Sequence, residues 1–359
     1  MTPMEQLGRP PTLFNDLTDY INQLCVSVVQ LYTGEFDFPV SKVIVLCYIG
    51  EYHLYNRIEE LLCASKLYHE KTGKLKNYYV FLSPHKYPES LKKEYGEYFT
   101  VFELPNLYSY YTDKFDNINI GTNKHLHFLS LNNRASVNRQ SLYYFFKKFS
   151  LLDRSYFSYH GDLERTKFAT HKEISKTCVR GGTPWYLKHL DLDNLNQQIP
   201  LTISGDQFNK NDWSSGQDSY YTTTFCSVVT ETYDTQPYPY FTEKTFKPIA
   251  FYHPFILLSS RHSLGALQDL GFQTFNNFWD EDYDQFEGNQ RLEAIFHLLL
   301  EIGNWPIEKI NTTYKKMLPI LEHNHQHFFN TLPKHFNTIK FDLYKEIKNI
   351  VDKKQGLLE

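Results

Sequence analysis

The sequence predicts an α/β protein with two domains facing a cleft and a helical C-terminal tail. Three observations carry that reading. The chain has 359 residues, enough for two domains that each bury a core. Strand-like apolar runs alternate with helix-period segments on both sides of a polar stretch at 109–124. After Pro306 the pattern turns helical, to about residue 330 and again from about 338 to 352. The expected division is 1–115, 116–305 and 306–359, with the last part packing back toward the first.

Residues 12–32 have helical spacing and are expected as a first helix. KVIVLCYIG (42–50) is a continuous apolar run ending in Gly, the pattern of a buried parallel strand. RIEELLCASKLYHEKTG (57–73) has helical period and a Gly stop. NYYVFLS (77–83) and YFTVFEL (98–104) are expected strands. Beyond the polar stretch, HLHFLSLNN (125–133) predicts a strand, ASVNRQSLYYFFKKFSLLD (135–153) a helix and SYFSYH (155–160) a short strand. Residues 161–222 are polar and irregular, and FCSVVTET (225–232) is again strand-like. SLGALQDLGF (263–272) predicts a short helix with a Gly stop, and NQRLEAIFHLLLEIGN (289–304) an amphipathic one.

Composition narrows the function classes. With 37 basic and 41 acidic residues the net charge is −4, which argues against a chain that coats nucleic acid over its whole surface but leaves room for a local basic face. The five cysteines (Cys25, Cys47, Cys63, Cys178, Cys226) show no CxxC spacing, so neither a disulfide framework nor a zinc site is expected. The start MTPMEQLGRPP lacks a signal-peptide pattern, and no apolar run approaches the ~20 residues of a membrane span. A cytoplasmic location is the expectation.

Ligands of open α/β sheets bind at the carboxyl ends of strands, so residues just after each strand are the candidates. Arg134 lies past one expected strand and Arg139 further on in the following helix; guanidinium groups bind phosphate and stay charged. Glu231 ends SVVTET, and Thr242–Glu243–Lys244 opens an expected helix with Thr242 as its N-cap. Such a start presents amide N–H groups, Lys244 adds charge for a diphosphate, and Glu243 is suited to a ribose diol. The bland alternative is a solvated Glu–Lys pair on a surface helix. Pro248 predicts that this helix is short or kinked.

YFTEKTFKPIAFYHPFILLSS (240–260) resembles the donor-site motif of the α1,3-fucosyltransferase family. VVTETY (228–233) resembles the acidic strand end that precedes that motif. SLNNRASVNRQ (130–140) and LGFQTFNNFWDEDYD (270–284) resemble blocks of relatives found in phage and other viral genomes. The resemblance covers about 125–300. It implies a Rossmann-like, nucleotide-sugar-binding second domain in a glycosyltransferase of the GT-B type, using a UDP- or GDP-sugar and no obligatory metal. It also implies that Glu243 and Lys244 hold ribose and phosphate and that Tyr240 lies beside the nucleotide. The first domain carries no such resemblance.

The implied reaction is inverting transfer to a hydroxyl, which needs a general base on the first domain. IGEYH offers Glu51, with His53 second; the alternative is a strand-end Glu in solvent. The block Asp280–Glu281–Asp282 with Asp284 has metal-ligand chemistry but is expected as an acidic surface loop, and His323, His325 and His327 as surface residues. Residues 66–93 hold seven lysines against two glutamates, interleaved with Tyr68, Tyr78, Tyr79 and Tyr87. That face, taken with the phage-like resemblance, points to DNA, with a hydroxymethylated base as the acceptor. Transfer to a cell-surface glycan or lipid-linked oligosaccharide, or non-catalytic binding of a nucleotide sugar or DNA, are the alternatives.

Overall fold

The computed structural model describes residues 27–30, 42–47, 55–75, 77–83, 89–103, 121–132, 136–160, 185–201, 203, 218–231, 239 and 241–354. The chain forms two compact units: Met1–Tyr110 with Pro333–Glu359, and Tyr111–Leu332.

Unit 1 is built on a parallel sheet of four strands, in the order β1 (Ser27–Gln30), β2 (Lys42–Cys47), β3 (Asn77–Ser83) and β4 (Phe99–Glu103). Helix α1 (Tyr55–Thr72) links β2 to β3, and α2 (Glu89–Tyr95) links β3 to β4. β3 is buried along Tyr78, Tyr79, Val80 and Phe81, which explains its unbroken apolar run. α1 stops at Gly73, whose φ of 71° suits glycine and whose N–H reaches the His69 carbonyl at 2.8 Å. Residues 27–30, which lie within the expected helix 12–32, instead form β1. Its Ser–Val–Val–Gln segment pairs with Ile44–Cys47, and strand pairing there outweighs a helical spacing that short β-branched stretches support weakly.

Unit 2 has a second parallel sheet, of β5 (Leu126–Asn132), β6 (Ser155–Tyr159), β7 (Thr224–Thr230) and β8 (Phe255–Leu258), in the spatial order β6-β5-β7-β8. From β5 the chain runs through α3 (Val137–Lys148) to β6 on one side. It then passes α4 (Leu192–Asn196) and α5 (Asp218–Thr223) and re-enters on the other side of β5 as β7. α6 (Glu243–Ala250) leads on to β8. Strand order therefore reverses between β5 and β7, a topological switch point.

The core of unit 2 is aromatic. α3 is buried from Arg139 to Phe146, and Phe145 stacks on Phe296 at 4.1 Å between centroids. Phe296 belongs to α8 (Gly288–Gly303), which follows α7 (Ser263–Asp269). A Cβ on Gly303 would lie 2.6 Å from Leu151 Cδ2, so any larger residue there would push the Leu151 side chain aside.

α9 (Ile307–Gln326) runs through a π-helical turn, His327–Thr331, into α10 (Leu332–Lys354). The helical tail expected from 306 thus divides. α9 buries Ile310, Tyr314, Met317 and Leu321 within unit 2. α10 belongs to unit 1, where Lys354 sits 4.3 Å over the Tyr78 ring.

Candidate functional site

The carboxyl ends of β5 and β7 flank the switch point, and both end in polar residues. Thr230, the last residue of β7, donates its hydroxyl to Asn132 Oδ1 at 2.6 Å, bridging to the last residue of β5. Arg139 Nε donates to the same hydroxyl at 3.1 Å, and its NH2 group donates to the Thr230 carbonyl at 3.0 Å. The guanidinium is buried, 4% exposed, and braces the strand end. α3 brings it there because Ser136 caps the helix, its hydroxyl accepting from the Arg139 N–H at 3.3 Å.

The next residue, Glu231, is 1% exposed and serves the start of α6. Its Oε1 accepts from the Thr242 N–H at 2.9 Å and from the Thr245 hydroxyl at 2.6 Å, and its Oε2 accepts from the Thr242 hydroxyl at 2.5 Å. The partial positive charge of the helix start therefore already faces a carboxylate from its own chain. The Thr242 hydroxyl in turn accepts from Lys244 N at 3.3 Å and Lys244 Nζ at 3.0 Å. Amides expected to be open for a ligand are thus engaged: those of Thr242 and Lys244 by these bonds, and that of Thr245 by the Thr242 carbonyl.

Arg139, Thr230, Glu231, Thr242 and Lys244 form one bonded series across the end of β7, with two cations and one anion. Glu243 is the first residue of α6. Arg134, Tyr240, Glu51 and His53 lie outside the described residues.

Two more hydroxyls at carboxyl ends of this sheet are buried without a hydrogen-bond partner: Tyr159, closing β6, and Ser259, just after β8. Burial and the neighbouring Tyr144 raise the Tyr159 phenol well above its ordinary range, while the nearby Arg139 charge opposes that shift. Asn132, Thr230 and Ser259 fall within the strand-end segments marked from sequence (131–134, 230–243 and 259–263) without being named there, and Tyr159 and Thr245 lie outside them. The signal for the strand-end residues is the small polar or hydroxyl residue that closes each apolar run, as in LSLNN, VVTET and ILLSS; Thr245, inside TEKTF, carries no such signal.

Other candidates have structural roles. Asp284 pairs with Arg291 at 3.1 Å in the interior, Glu281 accepts from the Phe275 N–H at 2.8 Å, and Asp280 accepts from the Asp282 N–H at 2.7 Å. The acidic block is therefore only partly a surface loop. Among the described residues no group of three His, Cys, Asp or Glu side chains is placed to hold a metal.

His325 and His327 are half-buried rather than surface residues. His325 Nδ1 meets the Ala250 carbonyl at 3.0 Å, and His327 Nε2 meets that of Leu270 at 2.6 Å, closing the ends of α6 and α7.

Tyr78 and Tyr79 lie in the core of unit 1, so they offer no stacking surface among the lysines. Lys66 pairs with Glu94 at 3.5 Å and Lys92 with Glu89 at 3.0 Å. Lys71, Lys74 and Lys93 are exposed, while Lys76, Lys86 and Tyr87 lie outside the described residues. No described helix is long and apolar enough to cross a membrane. No family model and no curated protein matches this chain.

Proposed function

We propose that the protein is a nucleotide-sugar-dependent glycosyltransferase of the GT-B type, with the donor held by unit 2. One observation carries the reading. The β5/β7 switch point, where doubly wound sheets take nucleotides, is also where Arg139, Lys244 and the start of α6 come together. Tyr159 and Ser259, whose hydroxyls are buried without a partner, stand at the same carboxyl end of the sheet, at β6 and after β8. Two α/β units, each with its own parallel sheet, support the GT-B reading.

In the proposed reaction the acceptor hydroxyl attacks the anomeric carbon, the bond to the diphosphate oxygen breaks, and the acceptor proton passes to a base. Glu51 and His53 are the proposed bases. Lys244 stabilises the charge that develops on the departing diphosphate, and the buried Arg139 adds a fixed positive charge at the same strand end. Glu243 and Tyr240 are proposed beside ribose and base. For the acceptor we propose a hydroxymethylated DNA base, approached over the exposed Lys71, Lys74 and Lys93.

A thermal-shift panel of UDP- and GDP-sugars tests the donor assignment. A ligand at a hundred times its Kd adds about 2.7 kcal/mol of apparent stability. One nucleotide class should raise Tm, and Lys244→Ala should abolish that rise while leaving the ligand-free Tm nearly unchanged. No shift with any nucleotide sugar would count against the function.

A further inference from the structure

We propose that Thr242 and Glu231 are positioning residues for Lys244, holding its ammonium at the start of α6 to grip the diphosphate of the ligand. The proposal rests on the reading of unit 2 as a nucleotide-sugar domain and adds how its phosphate-binding lysine is aimed.

A threonine hydroxyl has one proton and two lone pairs. At Thr242 the proton goes to Glu231 Oε2 at 2.5 Å. An ionised carboxylate only accepts, so this bond fixes which way the hydroxyl points. Its lone pairs then face the two Lys244 donors, N at 3.3 Å and Nζ at 3.0 Å. Glu231 is itself held by the Thr242 N–H and the Thr245 hydroxyl, both on its Oε1, so the reference point is rigid and buried.

A helix cap needs only the bond from the amide. Here the same oxygen also takes the side-chain ammonium, which turns a cap into an aiming device. A lysine on a flexible stem otherwise loses rotamer freedom when a ligand orders it, so holding it in advance strengthens binding.

The first test needs no ligand. Lysines of the full chain are labelled with 13C at Cε, and the Lys244 resonance is identified by its loss in Lys244→Met. Thr242→Val should shift that resonance, and Thr242→Ser should restore it. A resonance unmoved in Thr242→Val overturns the proposal, whatever the protein binds.

The second test is a titration with inorganic pyrophosphate. Thr242→Val should weaken binding about tenfold, the scale of a charge-assisted bond. Lys244→Met should weaken it at least as much, and the double variant no more than Lys244→Met alone. Additive losses mean a merely structural cap and overturn the positioning role. A wild-type protein that binds neither pyrophosphate nor any nucleotide overturns the diphosphate assignment and the proposed function, while the resonance test still decides whether Thr242 aims Lys244.

Discussion

Lys124 shows what single residues in this chain do once buried. It precedes β5 and is 1% exposed, with its ammonium donating to the Tyr221 and Thr222 carbonyls at 2.8 and 3.2 Å. The Tyr314 ring lies 4.1 Å away, and the Lys124 charge also acts on the buried His253, whose pKa burial and that charge both lower. Burial lowers the Lys124 pKa from 10.5 to about 7. Between about pH 7 and 10.5 the unfolded chain binds the proton that the folded chain releases, so stability rises with pH across that window. Below it the folded protein carries the full cost of a buried charge; above it the cost is gone. The slope should be on the order of 1 kcal/mol per pH unit in urea unfolding, and Lys124→Met should flatten it. A wild-type profile flat from pH 7 to 10 would contradict this account. None of it is legible in the sequence, where Lys124 reads as the last polar residue of a linker. Arg139 and Glu231 are similar. Their chemistry and their places after strands are legible, but their burial and partners are set by Thr230 and Thr242, which depend on how the strands assemble.

At the scale of elements, α6 follows from its residues. Thr242 caps it, Glu231 accepts the Thr242 N–H and the Thr242 and Thr245 hydroxyls, and Pro248 falls inside its final turn. The helix is eight residues long, and the Pro248 carbonyl accepts from the N–H groups of Phe251 and His253. Shortness was legible from Pro248 because proline cannot donate to the preceding turn. The far end was not: the His325 contact with Ala250 depends on α9, far away in sequence. The turn after α7 was signalled by Gly271, which has a φ of 94°; a Cβ there would lie 2.6 Å from His327 Cε1. Gly271→Ala should cost on the order of 2 kcal/mol in urea unfolding, from backbone strain and the clash together. Adding His327→Ala should recover the steric part and leave the strain. No recovery would mean that the strain alone sets the cost.

At the scale of the whole molecule, the apolar runs, counting the FILL segment (255–258) after Pro254, identified seven of the eight described strands because buried parallel strands read as unbroken hydrophobic segments. β1 was missed because its four residues gain their stability from pairing with β2. Strand order was not legible, since nothing local to FCSVVTET records that it re-enters beside β5 rather than β6. Yet that order creates the switch point on which the proposed donor site depends. Amide hydrogen exchange of the full chain, with and without a saturating UDP- or GDP-sugar, tests that dependence most directly. The account predicts new protection concentrated in 126–140, 224–231 and 241–250, at the carboxyl ends of β5 and β7 and the start of α6. Binding that protects other segments and leaves these three unchanged would contradict it.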